Sequence, residues 1–133
     1  VWHTDAPAAP APVTQALLID GKAIAERVRA EVRERAASGL PGGRRPGLAV
    51  ILVGEDPASQ VYVRNKDKAA REVGFAVRTE RLPAEVRPER LAGLIESLNR
   101  DPAVDGILLQ LPLPKGLDAA RLVQAIDPDK DVD

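Results

Sequence analysis

Residues 48–53 read LAVILV, an uninterrupted apolar run between a Pro-Gly pair and a glycine. Such a run without polar alternation is typical of a strand that is buried on both faces, and such strands usually belong to parallel sheets. The turn GEDPAS follows, and Ser59 can cap a helix over about residues 60–73 that Gly74 ends. The stretch therefore predicts a buried strand that leads directly into a helix.

Helical periodicity precedes this strand. Apolar residues recur every four positions between Asp20, a candidate N-cap, and Gly39, a C-terminal stop. They form a narrow stripe of Ile24, Val28 and Val32 with charged residues on both sides. We expect this stripe to pack on the rest of the domain.

Strands and helices continue to alternate after Gly74. Residues 75–82 indicate a half-exposed strand, and the segment RPERLAGLIESLNRD places Leu91, Leu94, Ile95 and Leu98 on one helical face. DGILLQ predicts a second buried strand, which two prolines stop, and Asp118 can cap a last helix. Strands separated by helices predict an α/β fold, with a mainly parallel sheet and three α/β/α layers.

Composition restricts the class of protein. The 133 residues fit one domain, and their formal net charge of −1 is evenly spread, which argues against a nucleic-acid or anionic-membrane surface. No cysteine is present, so thiolate catalysis and disulfides are excluded. No apolar run approaches the roughly 20 residues of a membrane helix. We expect a cytoplasmic protein that binds a small molecule.

The first residues differ from the rest. Residues 1–15 are rich in Ala and Pro without periodicity, which predicts a disordered arm, and residues 16–133 form the predicted domain. The single histidine, His3, lies in this arm, so a Ser-His catalytic pair inside the domain is excluded.

Polar side chains are predicted at one edge of the sheet, where ligands of parallel α/β folds bind. Tyr62 and Lys66 lie four residues apart in the first turns of the helix after LAVILV, so they share a face. Gln110 ends the strand DGILLQ, where a buried amide needs hydrogen-bond partners. A ligand can supply these partners, and so can a turn carbonyl. An ordinary helix also carries half-buried tyrosines and solvated lysines, so spacing alone leaves both interpretations open.

Other motifs are excluded. The segment DPDKDVD resembles a calcium loop, but Val132 occupies the position where that loop requires glycine. The glycines of LPGGRRPG lack the GK[ST] of a phosphate loop and follow a helix, and no dinucleotide fingerprint occurs. We therefore expect neither a metal site nor a cofactor-binding motif.

Several long stretches point to one family. They are IDGKAIAERVRAEV, PGLAVILVGEDPASQVYVRNKDKAAREVGF, DGILLQLPLPKGLD and DPDKDVD. Through them residues 18–133 closely resemble the N-terminal part of the bifunctional methylenetetrahydrofolate dehydrogenase/cyclohydrolase family. The resemblance implies the folate-binding, catalytic half of an enzyme of one-carbon metabolism. That enzyme oxidises 5,10-methylenetetrahydrofolate with NADP and hydrolyses the methenyl product to 10-formyltetrahydrofolate.

The resemblance also implies roles for individual residues. Lys66 corresponds to the essential catalytic amine, Gln110 to its hydrogen-bonding partner and Tyr62 to the ring that stacks on the aminobenzoyl part of folate. Asp133 corresponds to the carboxylate that binds the pterin, whose adjacent N–H donors one carboxylate can accept in pairs. The implied cleft lining consists of Leu109, Leu111 and Pro112.

In that family an NADP-binding Rossmann-type domain follows the KDVD text. We therefore expect the cofactor to be bound mainly by a further domain, this chain alone to be inactive as a dehydrogenase, and the parent protein to be a homodimer. Two alternatives stay open: a monofunctional dehydrogenase relative, and a non-catalytic α/β binding module in which Tyr62 and Lys66 have no special role.

Overall fold

A computed structural model describes residues 19–132 of the chain. The predicted arm at residues 1–15 and the predicted ligand Asp133 lie outside the described residues. Within them, helices and strands alternate as predicted: α1 Gly21–Ser38, β1 Gly47–Val53, α2 Pro57–Glu72, β2 Ala76–Leu82, α3 Pro88–Arg100, β3 Gly106–Leu109 and α4 Ala119–Gln124. None of these helices has both the length and the apolar character needed to cross a membrane.

The three strands form one parallel sheet with β1 in the centre, in the order β2-β1-β3. Val50 of β1 lies opposite Thr79 of β2 and Leu108 of β3. This arrangement confirms the predicted α/β class and the parallel sheet. Because the strands run in the same direction, their carboxyl ends lie at a single edge.

Both faces of the sheet are covered, as the apolar run at residues 48–53 predicts. On one face Ile51 and its neighbours pack against the apolar sides of α3 and α4 in the larger core cluster. On the other face Val50 and Leu52 pack against Val63 of α2. Side chains of a strand alternate between the two faces, so a run buried on both sides must be apolar throughout. The predicted three layers are therefore confirmed.

Helix α1 differs from its prediction. Asp20 caps its first turn as expected. However, Ile24 and Val28 are 48% and 51% exposed, so within the described residues the expectation that the stripe packs on the domain is wrong for these two; Val32 is half-buried. The last two turns of α1 reach the described domain: the Nε of Arg33 donates to the carbonyl of Glu72 at 3.2 Å, and the buried Ala36 lies next to Gly74.

The amino edge of the sheet is held by an ion pair that the sequence did not suggest. Both terminal nitrogens of Arg44 donate to the carboxylate of Asp105, at 2.8 and 2.9 Å, and the N–H of Gly47 donates to the same carboxylate at 2.7 Å. The hydrogen bonds from Arg44, with a smaller contribution from Gly47, hold the pKa of Asp105 below its ordinary value of 3.8. This edge is therefore a structural region opposite the predicted site.

Candidate functional site

The predicted site lies beyond the carboxyl ends of β1 and β3. Strand β1 ends at Val53 and turns directly into α2, whereas β3 ends at Leu109 and is followed by Gln110. Ligands of parallel α/β sheets bind at this edge. The first turns of α2 and the residue after β3 are therefore the elements that can present side chains to a ligand.

The start of α2 is fixed by an aspartate. One carboxylate oxygen of Asp56 accepts both the N–H and the hydroxyl of Ser59, each at 2.9 Å. The prediction that Ser59 caps a helix starting near residue 60 is wrong by about one turn. Asp56 is the cap because aspartate is a strong N-cap residue and Pro57 suits the first helical position. Ser59 instead lies inside the first turn of α2, where its side chain is buried.

Lys66 and Gln110 are in direct contact, as predicted. The Nζ of Lys66 donates to the Oε1 of Gln110 at 2.9 Å. Gln110 is only 7% exposed, and its main-chain N–H extends the sheet ladder by donating to Ile51. Its Nε2 donates to the carbonyl of Leu111 at 2.8 Å. Because Nε2 has this partner, the amide presents its oxygen to the ammonium and holds it at the edge.

Tyr62 lies one turn before Lys66 on α2. Its side chain is 53% exposed, and no hydrogen bond of its hydroxyl occurs among residues 19–132. Leu111, directly after Gln110, is also 40% exposed. An exposed aromatic ring with a polar tip is suited to stacking on a flat ligand. The partly open ring therefore agrees with a ligand-facing position better than with a core position.

The other predicted residues occupy different environments. Leu109 is 5% exposed and belongs to the larger core cluster, so its side chain supports the sheet. Pro112 is exposed and follows a cis peptide bond with Leu111. Asp133 lies outside the described residues, but the chain leading to it forms a parallel bridge between Asp131 and Ile107.

One concave surface of the described residues lies elsewhere and does not include Tyr62, Lys66 or Gln110. A groove of about 380 Å³ between α3 and α4 has a chiefly apolar lining that includes Ala92, Leu122 and Ala125. We favour the sheet edge as the site because it brings an ammonium into contact with a buried amide.

Within residues 19–132 no group of three or more His, Cys, Asp or Glu side chains is arranged to hold a metal ion.

Sequence reasoning missed Asp56. The signal was present, because an aspartate directly before a proline is typical of the N-cap and N1 positions of a helix. Ser59 was also a plausible cap by residue type. Asp56 is the cap and Ser59 is buried inside the helix, and this burial depends on the packing of α2 on the sheet.

An open parallel α/β domain with a lysine and an amide beyond the carboxyl ends of its strands has polar side chains where this class of fold binds ligands. Comparisons with known proteins identify the family. Residues 19–133 match the family described as tetrahydrofolate dehydrogenase/cyclohydrolase, catalytic domain. The bifunctional protein FolD of Acidiphilium cryptum is 63% identical over 118 residues, which cover 89% of this chain and 41% of that protein. FolD of Ralstonia pickettii is 57% identical over the same length.

Solved structures agree. The bifunctional FolD dehydrogenase/cyclohydrolase of Campylobacter jejuni superposes with a TM-score of 0.84 at 40% identity, covering 88% of this chain and 42% of that one. The Trypanosoma brucei enzyme, solved with an NADP cofactor and an inhibitor, gives 0.79 at 41% identity and covers 87% and 40%. The chain belongs to the tetrahydrofolate dehydrogenase/cyclohydrolase family. It spans about two fifths of the length of these relatives.

Proposed function

We propose that residues 19–133 are the folate-binding, catalytic half of a methylenetetrahydrofolate dehydrogenase/methenyltetrahydrofolate cyclohydrolase. The observation that carries the proposal is the contact of 2.9 Å between the ammonium of Lys66 and the buried amide of Gln110. This contact supports the proposal because the family resemblance implies a role for both residues, and both lie beyond the carboxyl ends of the strands. The similarity to bifunctional FolD proteins supports the same function.

In this proposal each edge residue has one task. Tyr62 stacks on the aminobenzoyl part of folate, and Asp133 accepts hydrogen bonds from the pterin. Lys66 transfers the proton of the water that attacks the reacting carbon, and Gln110 holds Lys66 in place. The surrounding surface is formed by the side chains of Leu111 and Pro112, with the main chain at Leu109 behind them.

The hydrolytic step requires a positioned proton carrier. The methenyl carbon is cationic, so the oxygen of a water molecule bonds to it and loses a proton. The bond from that carbon to one of the two nitrogens then breaks. This nitrogen keeps the electron pair and takes up a proton, while the hydroxyl on the carbon loses its proton and becomes the formyl carbonyl of 10-formyltetrahydrofolate. Lys66 orients the water, accepts its proton on the lone pair of Nζ and returns a proton to the departing nitrogen, because Gln110 fixes this Nζ at the edge.

The oxidative step requires NADP, which accepts a hydride from the methylene carbon of folate. The described residues do not fit this cofactor. The turn between β1 and α2 would be the natural dinucleotide site, but Asp56 caps the helix there. Its carboxylate accepts the N–H of Ser59, and its negative charge repels a pyrophosphate. We therefore propose that NADP is bound by another part of a longer, homodimeric protein, and that Tyr62 and Lys66 act on the folate alone.

A chimera tests the function. Residues 19–133 replace the matching segment of Acidiphilium cryptum FolD, with which they share 63% identity. We expect the chimera to reduce NADP+ with 5,10-methylenetetrahydrofolate and to hydrolyse 5,10-methenyltetrahydrofolate. Lys66→Gln should abolish the hydrolysis, whereas the matched control Lys68→Gln, on the same helix, should retain it.

Each result of this experiment discriminates between functions. Wild-type hydrolysis by the Lys66→Gln chimera would refute the role of the lysine. Reduction of NADP+ without any hydrolysis would instead indicate a monofunctional dehydrogenase. A chimera that neither binds folate nor turns it over would support the non-catalytic module.

A further inference from the structure

The beginning of α1 carries an exposed apolar face. Ile19, Ile24 and Val28 are 84%, 48% and 51% exposed. Ile19 directly precedes the N-cap Asp20, and Ile24 is the fourth helical residue, two positions whose side chains commonly pack together. Val28 follows one turn later on the same side of the helix. These three residues, Ile19, Ile24 and Val28, form one surface that is termed the exposed α1 face below.

This part of α1 has little support from the described domain. The last two turns of the helix make the contacts, and the buried Ala36 lies next to Gly74 there. Residues 21–31 are exposed, apart from the half-buried Ala25. Short helices are marginal in water, and most helical stability in proteins comes from the packing of an apolar face. The exposed α1 face is therefore suited to packing against a further part of the protein.

The length of the relatives supplies that further part. The matching 118 residues are 41% of Acidiphilium cryptum FolD, so about three fifths of such a protein lie outside this chain. Charges of both signs border the exposed α1 face, at Arg27, Glu31 and Glu34, and α1 contains no aromatic residue. Helices that bind membranes combine a basic face with Trp, Phe or Leu, whereas mixed charges beside an apolar stripe suit a protein surface.

We propose that the exposed α1 face docks the part of the longer protein that binds NADP and fixes its position relative to the folate site. The inference rests on the proposed function, in which this chain holds the folate and another part binds NADP. Hydride transfer joins two bound molecules, so it requires both parts to be aligned. The hydrolytic step uses Lys66 and Gln110 of this chain, so it depends less on that alignment.

Thiol labelling of the chain and of the chimera tests the docking directly. The 133-residue chain contains no cysteine, so Ile24→Cys and Val28→Cys each introduce a single thiol into it. Ala30→Cys, on the opposite side of α1, is the matched control. Mass spectrometry of the labelled peptide measures the alkylation rate at each position. We expect positions 24 and 28 to react about 10-fold more slowly in the chimera than in the chain, and position 30 to react equally fast in both.

The positioning role has a readout of its own. In the chimera, Ile24→Gln combined with Val28→Gln should lower the rate of NADP+ reduction about 10-fold, because a small displacement is costly to a reaction between two bound molecules. Hydrolysis of 5,10-methenyltetrahydrofolate should stay within about 2-fold of the unsubstituted chimera, since the folate site is intact. Ala30→Gln should change neither rate. Glutamine is a good helix former, so α1 itself is retained in all of these variants.

Other results overturn the inference. Equal labelling of positions 24 and 28 in the chain and in the chimera would show that the face stays open in the longer protein. Protection that is already present in the chain and rises with its concentration would show that a second copy covers the face. Equal losses of both activities in the double glutamine variant would contradict the positioning role. A chimera without folate turnover overturns the proposed function instead, while the labelling rates still report whether the face is covered.

Discussion

Replacement of Asp56 by alanine should destabilise the domain more than replacement of Asp20, the aspartate that caps α1. Asp56 accepts two hydrogen bonds from Ser59, and the hydroxyl of Ser59 is part of a side chain that is 1% exposed. Asp56→Ala therefore removes a cap and also leaves a buried hydroxyl without its acceptor. By contrast, Asp20 caps α1 through two exposed main-chain N–H groups.

The structure sets the size of the two effects. Loss of an N-cap costs about 1 kcal/mol, and a buried hydroxyl without its partner costs about 1–3 kcal/mol, so Asp56→Ala should cost about 2–4 kcal/mol. Asp20→Ala should cost about 1 kcal/mol or less. Adding Ser59→Ala to Asp56→Ala should restore part of the loss, because it removes the unpaired hydroxyl.

Urea unfolding of the chain measures these free energies, and folate binding by the chimera measures the functional effect. Asp56→Ala should weaken folate binding because the first turn of α2 places Tyr62, whereas Asp20→Ala should leave binding unchanged. Equal losses of stability for Asp56→Ala and Asp20→Ala would refute this reasoning. So would a further loss when Ser59→Ala is added to Asp56→Ala.

Two further predictions concern the rest of the fold. A Cβ on Gly47 would lie 1.9 Å from the carbonyl oxygen of Ala103, so Gly47→Ala should destabilise the chain by about 3 kcal/mol. Gly93, inside α3, has no atom near its added Cβ, so Gly93→Ala should stabilise it by about 0.5–1 kcal/mol; urea unfolding should give opposite signs. The lowered pKa of Asp105 contributes stability above its unfolded value near 3.8, which is lost as the pH falls through the lower folded value. The urea concentration at the unfolding midpoint should therefore decrease when the pH is lowered below about 4, and it should decrease less for Asp105→Asn. An equal decrease in both proteins would contradict the role of the ion pair with Arg44.

Much of the fold could be predicted because local signals and tertiary structure agree. The run at residues 48–53 is apolar on both faces because α2 covers one side and α3 and α4 the other. The same agreement explains the contact between Lys66 and Gln110. Lys66 lies on the helix that follows β1, and Gln110 directly follows β3. Because the strands are parallel, both residues lie at the same edge of the sheet.

Other features depend on contacts that periodicity does not report. Ile24 and Val28 have the spacing of a packed helix face, but it is the last two turns of α1 that meet the described domain. Asn99 and Lys130 are residue types that are common on protein surfaces, so the sequence gives no sign of their hydrogen bonds. The Oδ1 of Asn99 accepts the N–H of Asp127, and the Nζ of Lys130 donates to the carbonyl of Leu98. These hydrogen bonds join segments roughly thirty positions apart in sequence, so only the three-dimensional structure shows them.

A crystal structure of the chimera with a bound folate analogue tests the central claim most directly. The account predicts that the aminobenzoyl ring stacks on Tyr62 and that the atom equivalent to the one-carbon unit lies beside the Nζ of Lys66. The hydrogen bond between this Nζ and Gln110 should remain. An analogue bound instead in the groove between α3 and α4, away from Lys66, would contradict the account.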